Sequence, residues 1–448
     1  MNVHEKFNFK KKEDLVEKIR GLGADIPLAE NCSALFEKIS IAGRTLPNRL
    51  VVNPMEGADS DGRGAPSELT FRRYRRFASG GSAVIWFEAT AVRQDGRSNS
   101  RQLFLQAETV DAFKRLVEET RSAAERTFGA GRSPLLILQI THSGRNSKPL
   151  GIPAPVIAQH NPHLDTPMKL PPDFPLIPDD ELVRLQEIFV RAGRLAAEAG
   201  FDGVDVKACH GYLVSELLGS FMREDSRYGG PFENRTHFLL ETMRQIREAV
   251  PGLILTCRLS AYDSLPFPYG FGVDRADPQK EDLTEPKALV RELLKVGLPL
   301  LHVSLGIPRY KPQYGRPFDM PVRGGAVPDE HPLTGVARHI RIAGAFQREF
   351  ADLAVIGSGY SWLRQFFPYA AAAAVREKRT SLIGLGRGSL GYPDFARELA
   401  EKGRLDPARV CTTCSQCSEL LRAGRPTGCT IRDAGLYLRE YNDLVKTG

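Results

Sequence analysis

The 448-residue sequence contains no run of about 18 apolar residues, which excludes a membrane-spanning helix. Its first stretch, "MNVHEKFNFKKKEDLVEKIRGLG", has positive charge but no apolar core behind it, so a secretory signal is not expected. Cysteine is scarce, with 7 in all. Cys32, Cys209 and Cys257 stand apart from one another, as buried thiols do in a reducing compartment, and the expected localisation is cytoplasmic. Nor is there a strong imbalance of charge. The net value is +7, and basic runs such as "FKKK" and "FRRYRR" are broken by acids and apolar residues. Without an aromatic and basic stripe, no nucleic-acid partner is expected, and such runs read as solvated faces.

Short apolar runs do recur. They lie at 50–55, 83–88, 135–140, 203–207, 253–260, 300–306, 353–359 and 381–386. Amphipathic stretches of helix length separate them, including "DAFKRLVEETRSAAERTF", "DDELVRLQEIFVRAGRLAAEAG", "NRTHFLLETMRQIREAV", "EPKALVRELLKVG" and "PYAAAAAVREKR". In the second, Asp179 or Asp180 is placed to cap the N-terminus and Gly200 to end the helix. Continuous rather than alternating apolar runs fit parallel strands covered on both faces. Eight such units predict an α/β chain closed into a (β/α)8 TIM barrel over 41–400, with an open doubly wound sheet as the alternative. Residues 1–40 read as a helical extension outside the barrel, a candidate contact in a homo-oligomer, and 401–448 as a cysteine-bearing segment.

In such a barrel, chemistry belongs at the C-terminal ends of the strands. Here those ends read "PMEG", "QITHSGR", "VKACHGY", "CRLSAYD" and "GLGRGS", and two long Pro-, Tyr- and Arg-rich loops follow the third and sixth strands. The segment "DVKACHGYLVSELLGSFMREDSRYGGPFENR" (205–235) resembles the fourth-strand loop of the Old Yellow Enzyme superfamily of FMN-dependent barrels. "NRLVVNPM", "LQITHSGR" and "GLGRGSLGYPDF" resemble that family's first, third and last strands, in order, so the likeness covers about residues 40–400.

The resemblance implies an FMN site. Gly386 and Arg387, with Gly357, Ser358 and Gly359, would take the phosphate; backbone N–H groups and a fixed cation suit it chemically. Gln139 would bind the pyrimidine edge, and Arg258 would hold charge near N1. Pro54 and Met55 would lie under the ring, with Glu56, Gly57 and Ala89 completing the contacts. Glu56 departs from the family, where Thr or a small residue is usual. Lys207 and His210 stand where the family carries a His/His or His/Asn pair that holds a substrate oxygen, and Tyr212 matches its proton donor. The loop after Tyr212 is short, which is expected to open the pocket near Phe221 and Arg223.

The spacing Cys411-x2-Cys414-x2-Cys417-x11-Cys429 suits the corners of a [4Fe-4S] cluster better than the separated pairs of structural zinc, and leaves zinc or free thiols as alternatives. It resembles the superfamily's iron–sulfur branch, that of 2,4-dienoyl-CoA reductase and trimethylamine dehydrogenase, in which the cluster connects FMN to a C-terminal dinucleotide domain. No G-x-G-x-x-G unit follows Cys429 here, so an external electron donor is expected, such as a ferredoxin, a flavoprotein or an NAD(P)H-dependent reductase. The leading expectation is an ene-reductase acting on an enone or an unsaturated or aryl acyl-CoA. The alternatives are an amine dehydrogenase or demethylase, with Tyr262, Tyr310, Tyr314 and Trp362 as an aromatic cage, and a non-catalytic electron-transfer subunit.

Overall fold

In the computed structural model, which describes residues 3–447, all eight apolar runs are parallel strands of one closed barrel. Met1, Asn2 and Gly448, the ends of the two flanking segments, lie outside the described residues. The strands are β1 (Leu50–Val52), β2 (Val84–Ala91), β3 (Leu135–Thr141), β4 (Gly203–Val206), β5 (Ile254–Ser260), β6 (Leu300–Ser304), β7 (Ala354–Gly357) and β8 (Leu382–Leu385). Each pairs with the next, and β8 closes on β1 with Ile383 opposite Leu50. The open-sheet alternative is thereby set aside.

Side chains alternate across the barrel wall as strand geometry requires. On β1, Leu50 and Val52 face the helical layer, while Val51 points inward beside Val84, Trp86, Ile137, Leu300 and Leu382. A short antiparallel hairpin, Ile39–Ile41 with Arg44–Leu46, adds buried Ile41 and Leu46 to this inner cluster. Each such side chain contributes roughly 1.5–3 kcal/mol of apolar burial. The N-terminal end of the barrel is thus filled, which leaves the opposite mouth for a ligand.

The expected helices form at Val110–Phe128, Asp179–Glu198, Phe232–Ala249, Thr284–Lys295 and Phe367–Arg376. Gly200 follows the second with φ +88°, the left-handed conformation that ends helices. The capping expectation fails: Pro178 is the cap residue, and Asp179 instead accepts from Arg223 and Ser226. "FRRYRR" is also corrected. It belongs to the helix Glu68–Ser79, which buries Phe71, Tyr74, Phe77 and also Arg73. That helix and Pro332–Glu349 were not anticipated. No helix among the described residues is long and apolar enough to cross a membrane.

Candidate active site

The main cavity opens at the C-terminal mouth of the barrel. Of the residues singled out in the sequence, it is lined by Pro54, Met55, Glu56, Gln139, Lys207, His210, Tyr212, Arg258, Ser358, Gly359, Gly386 and Arg387. Three are not brought to it. Gly57 turns its N–H to Glu88 at 2.7 Å, Ala89 is buried within β2, and Gly357 gives its N–H to Thr380. Phe221 and Arg223 also lie elsewhere: Arg223 holds the carbonyls of Ala158 and Ile177, and Phe221 packs on Arg235.

One wall is organised by a sharp turn after β4. His210 and Gly211 both have positive φ (68° and 70°), an uncommon conformation for histidine, and the pair reverses the chain so that His210 and Tyr212 both reach the cavity. The His210 N–H is held by Ser260 Oγ at 3.1 Å and its Nε2 lies 2.9 Å from Ser304 Oγ. Burial holds this imidazole well below the usual histidine range, so it is neutral at pH 7.

Glu56 is the hub of the same wall. Its carboxylate accepts from Tyr212 Oη at 2.6 Å, from Lys207 Nζ at 3.4 Å and from the Ser98 hydroxyl. Lys207 Nζ also sits 3.3 Å from the centre of the Tyr212 ring. Burial, reinforced by Glu56, pushes the Tyr212 phenol well above its ordinary value, while burial lowers Lys207. The phenol is therefore a loaded proton donor throughout the neutral range.

Below this wall, the buried Asp205 carboxylate accepts from Gln139 Nε2 at 2.5 Å, Trp86 Nε1 at 2.9 Å and the Arg258 N–H at 2.7 Å. Gln139 is thereby oriented, with its carbonyl and second amide hydrogen still free to meet a ligand edge. At the other end of the cavity are two arginines, Arg387 and Arg316, the latter from the Arg-rich loop after the sixth strand. Arg387 Nη2 meets the Pro317 carbonyl at 2.6 Å and Arg316 Nη1 meets Ser415 Oγ at 2.8 Å. Arg387 Nη1, Arg316 Nη2 and Arg258 Nε are buried without a partner. Unpaired buried cations are costly, so three around one cavity indicate a polyanionic or strongly accepting ligand. An FMN phosphate and pyrimidine edge fit them.

The four late cysteines lie beside this end. Cys411 and Cys417 both feel the charge of Arg387, and Cys411, Cys414, Cys417 and Cys429 are close enough to influence one another. Backbone N–H groups of Thr413 and Arg432 point at the sulfurs of Cys411 and Cys429, each at 3.3 Å. Among the described residues, no three His, Cys, Asp or Glu are drawn together tightly enough to hold a metal ion. The donor set is sulfur alone, and N–H groups directed at two sulfurs suit thiolates. Four cysteine sulfurs are the donor chemistry that an iron–sulfur cluster takes.

Asn53, Ser98, Asn146, Arg309, Arg316 and Arg422 also line the cavity. Arg309 and Arg316 belong to the Arg-rich loop after the sixth strand. Arg422 lies inside the segment read for its cysteines, and Ser98 carried no signal.

Comparison with known proteins now bears on this geometry. The profile of the NADH:flavin oxidoreductase / NADH oxidase family matches residues 34–284. The chain belongs to that family. It is therefore a flavin-dependent oxidoreductase, FMN being the family's flavin. An NADPH dehydrogenase of Listeria monocytogenes is 29% identical over 361 residues, covering 79% of this chain and 97% of the relative. Among solved structures, a 2-naphthoyl-CoA reductase complex superposes with TM-score 0.73 at 20% identity, over 92% of this chain but 58% of that one. An Old Yellow Enzyme homologue from Zymomonas mobilis gives 0.62 at 19%, over 89% and 98%. At these identities the two structures establish the shared barrel. The chain spans little more than half the length of the first.

Proposed function

We propose that this family member reduces an electron-poor C=C bond, with FMN in the barrel mouth and a [4Fe-4S] cluster on Cys411, Cys414, Cys417 and Cys429. The observation that carries the reading is the Tyr212–Glu56–Lys207 hydrogen-bonded set on the cavity that also presents Gln139 and Arg258. Bound FMN would supply hydride to the β-carbon, and the cluster would bring electrons from an external donor. Pro54 and Met55 would support the ring, Gln139 and Arg258 its polar edge, and Ser358, Gly359, Gly386, Arg387 and Arg316 its phosphate.

The chain's own residues then have separable tasks. Lys207, a cation, and His210, a neutral donor in one tautomer, would polarise the activating oxygen of an enone or thioester. Tyr212 would deliver its proton to the α-carbon. The phenolate left behind would be stabilised by Lys207 over its ring and reprotonated from the Lys207 ammonium through Glu56, with solvent restoring the lysine. Glu56 thus makes sense of its departure from the family: it couples the acid to its proton supply.

The amine-oxidising reading lacks comparable support. Tyr262, Tyr310, Tyr314 and Trp362 do not line the cavity, so they form no cage there. Tyr262 spends its hydroxyl on the Pro278 carbonyl, and Trp362 packs on Phe7.

Tyr212→Phe tests the proposal under anaerobic turnover with enones and unsaturated thioesters. Turnover is expected to fall roughly 10²–10⁴-fold with flavin content unchanged. Undiminished turnover would remove Tyr212 from the chemistry. Anaerobically purified protein should carry about four iron and four sulfide per chain; stoichiometric zinc without sulfide would defeat the cluster assignment.

A further inference from the structure

Six basic side chains and one carboxylate, Glu56, line the cavity. The flavin reading uses Arg258, Arg316 and Arg387, and Lys207 is matched by Glu56. Arg309 and Arg422 are left over. They do not stand alone, for Lys148, two residues along the chain from cavity-lining Asn146, is under the influence of both.

These three cations come from separate elements: the loop after β3, the loop after β6 and the short helix Gln416–Arg422 of the cysteine segment. Arg422 Nη2 is fixed on the Pro308 carbonyl at 2.9 Å, next to Arg309. Two of them are electrostatically strained: burial and then the two arginines lower Lys148, and burial and then Arg309 lower Arg422. None of the three forms an ion pair with a carboxylate among the described residues. The acid that acts on Arg422, Glu419, is already taken by Arg323 at 3.0 Å and Tyr441 at 3.1 Å. Arg309 also acts on Tyr212, so the group lies on the side of the cavity where the proton is delivered.

Three like charges gathered from three segments, partly withdrawn from water, favour the presence of an anion. The group continues the line of Arg387 and Arg316, since Arg316 feels both Arg387 and Arg422. The FMN phosphate would account for Arg387 and Arg316, and leaves Arg309, Arg422 and Lys148 without an assigned ligand.

We infer that Lys148, Arg309 and Arg422 form a second anion subsite that holds the phosphorylated nucleotide end of a reactant while its reacting end, the double bond of a thioester or the nicotinamide of a dinucleotide, enters the cavity. This deepens, and rests on, the reading of the cavity as a flavin site that reduces an activated double bond. Two sources share the chemistry: an acyl thioester on a 3′-phosphorylated nucleotide carrier, and a 2′-phosphorylated nicotinamide dinucleotide. Because Arg422 belongs to the cysteine segment, that segment serves the reactant as well as the cluster.

The test is equilibrium binding of adenosine 3′,5′-bisphosphate and adenosine 2′,5′-bisphosphate to the holoenzyme by calorimetry, with adenosine as the uncharged control. At least one bisphosphate should bind more tightly than adenosine by tenfold or more, and more weakly as salt is raised. Arg309→Ala and Arg422→Ala should each weaken it roughly tenfold, the 1.4 kcal/mol scale of one charge-assisted contact, with flavin content unchanged. Preference for the 3′ isomer assigns the site to the thioester carrier, and preference for the 2′ isomer to the dinucleotide. Bisphosphate binding no tighter than adenosine, or binding that survives Arg309→Glu, overturns the subsite. These measurements need no turnover, so a subsite that binds in an enzyme inactive on every double bond would separate this inference from the proposed reaction.

Discussion

Arg73 and Arg387 are both buried arginines, 5% and 7% exposed, and both lie against the C-terminal segment, yet their surroundings are opposite. Arg73 is saturated. It donates to Asp59, to Glu88 at 2.7 Å, to the Met55 carbonyl at 3.3 Å and to the Thr427 carbonyl at 2.5 Å, while Asp59 takes the Thr427 N–H at 2.9 Å. Outside this knot, Arg72 and Arg76 both hold Asp433. Arg387 has one carbonyl partner, no carboxylate and one buried nitrogen with nothing to meet. A paired buried charge fastens two parts of the chain together; an unpaired one costs stability and is retained where a ligand completes it.

The comparison is most strongly tested at Arg73. Arg73→Met leaves Asp59 and Glu88 as buried, uncompensated carboxylates, and should lower unfolding free energy by about 3–5 kcal/mol in chemical denaturation. It should also free residues 427–433 from the barrel, seen as faster proteolysis there and reduced iron content. A change within about 1 kcal/mol, the range of exposed pairs, would mean that the network is not a fastening.

Arg387→Gln is the converse. Stability without flavin should stay level or rise slightly, because an unpaired cation has been removed from a buried position. FMN affinity should fall by roughly 2 kcal/mol, about 30-fold, as a charge-assisted contact to phosphate is lost. The readout is flavin retained on gel filtration at low protein concentration. Loss of stability with flavin affinity intact would place Arg387 with Arg73.

How much of this could be read from the sequence follows the same division. The eight strands were visible because both faces of a parallel sheet are buried, so their apolar runs are uninterrupted. The helix Glu68–Ser79 was hidden because four arginines in "FRRYRR" mask Phe71, Tyr74 and Phe77, and composition cannot show that Arg73 turns inward to carboxylates. Many residues that line the cavity were visible as candidates because they stand in contiguous motifs such as "VKACHGY". Their couplings were not: Glu56 and Tyr212 are 156 residues apart and meet only because the barrel closes. Arg422 was overlooked because a lone arginine on a short helix has no pattern; its meaning comes from Arg309 and Lys148, on other strands' loops.

A smaller effect extends the contrast to histidine. His142, His302 and His339 are buried, and burial lowers all three, His339 to about 3. His302 packs on Trp86 with neither ring nitrogen hydrogen-bonded, so it has no partner to stabilise a charge. In the unfolded chain each takes up a proton near pH 6.5, whereas in the folded chain it does not. The unfolded state therefore binds more protons below that pH. Stability from these groups is complete above about pH 6.5 and is lost as the pH falls toward the folded values, by about 1.4 kcal/mol per pH unit for each histidine. His302→Leu should remove one such contribution, so its stability between pH 6 and pH 4.5 should fall less steeply than the parent's by about that slope. Denaturation series at matched pH would show it. Parallel curves would mean that the folded protein already accommodates a charged His302, and that an unpaired buried base in the barrel interior is less costly than the unpaired arginines at its mouth.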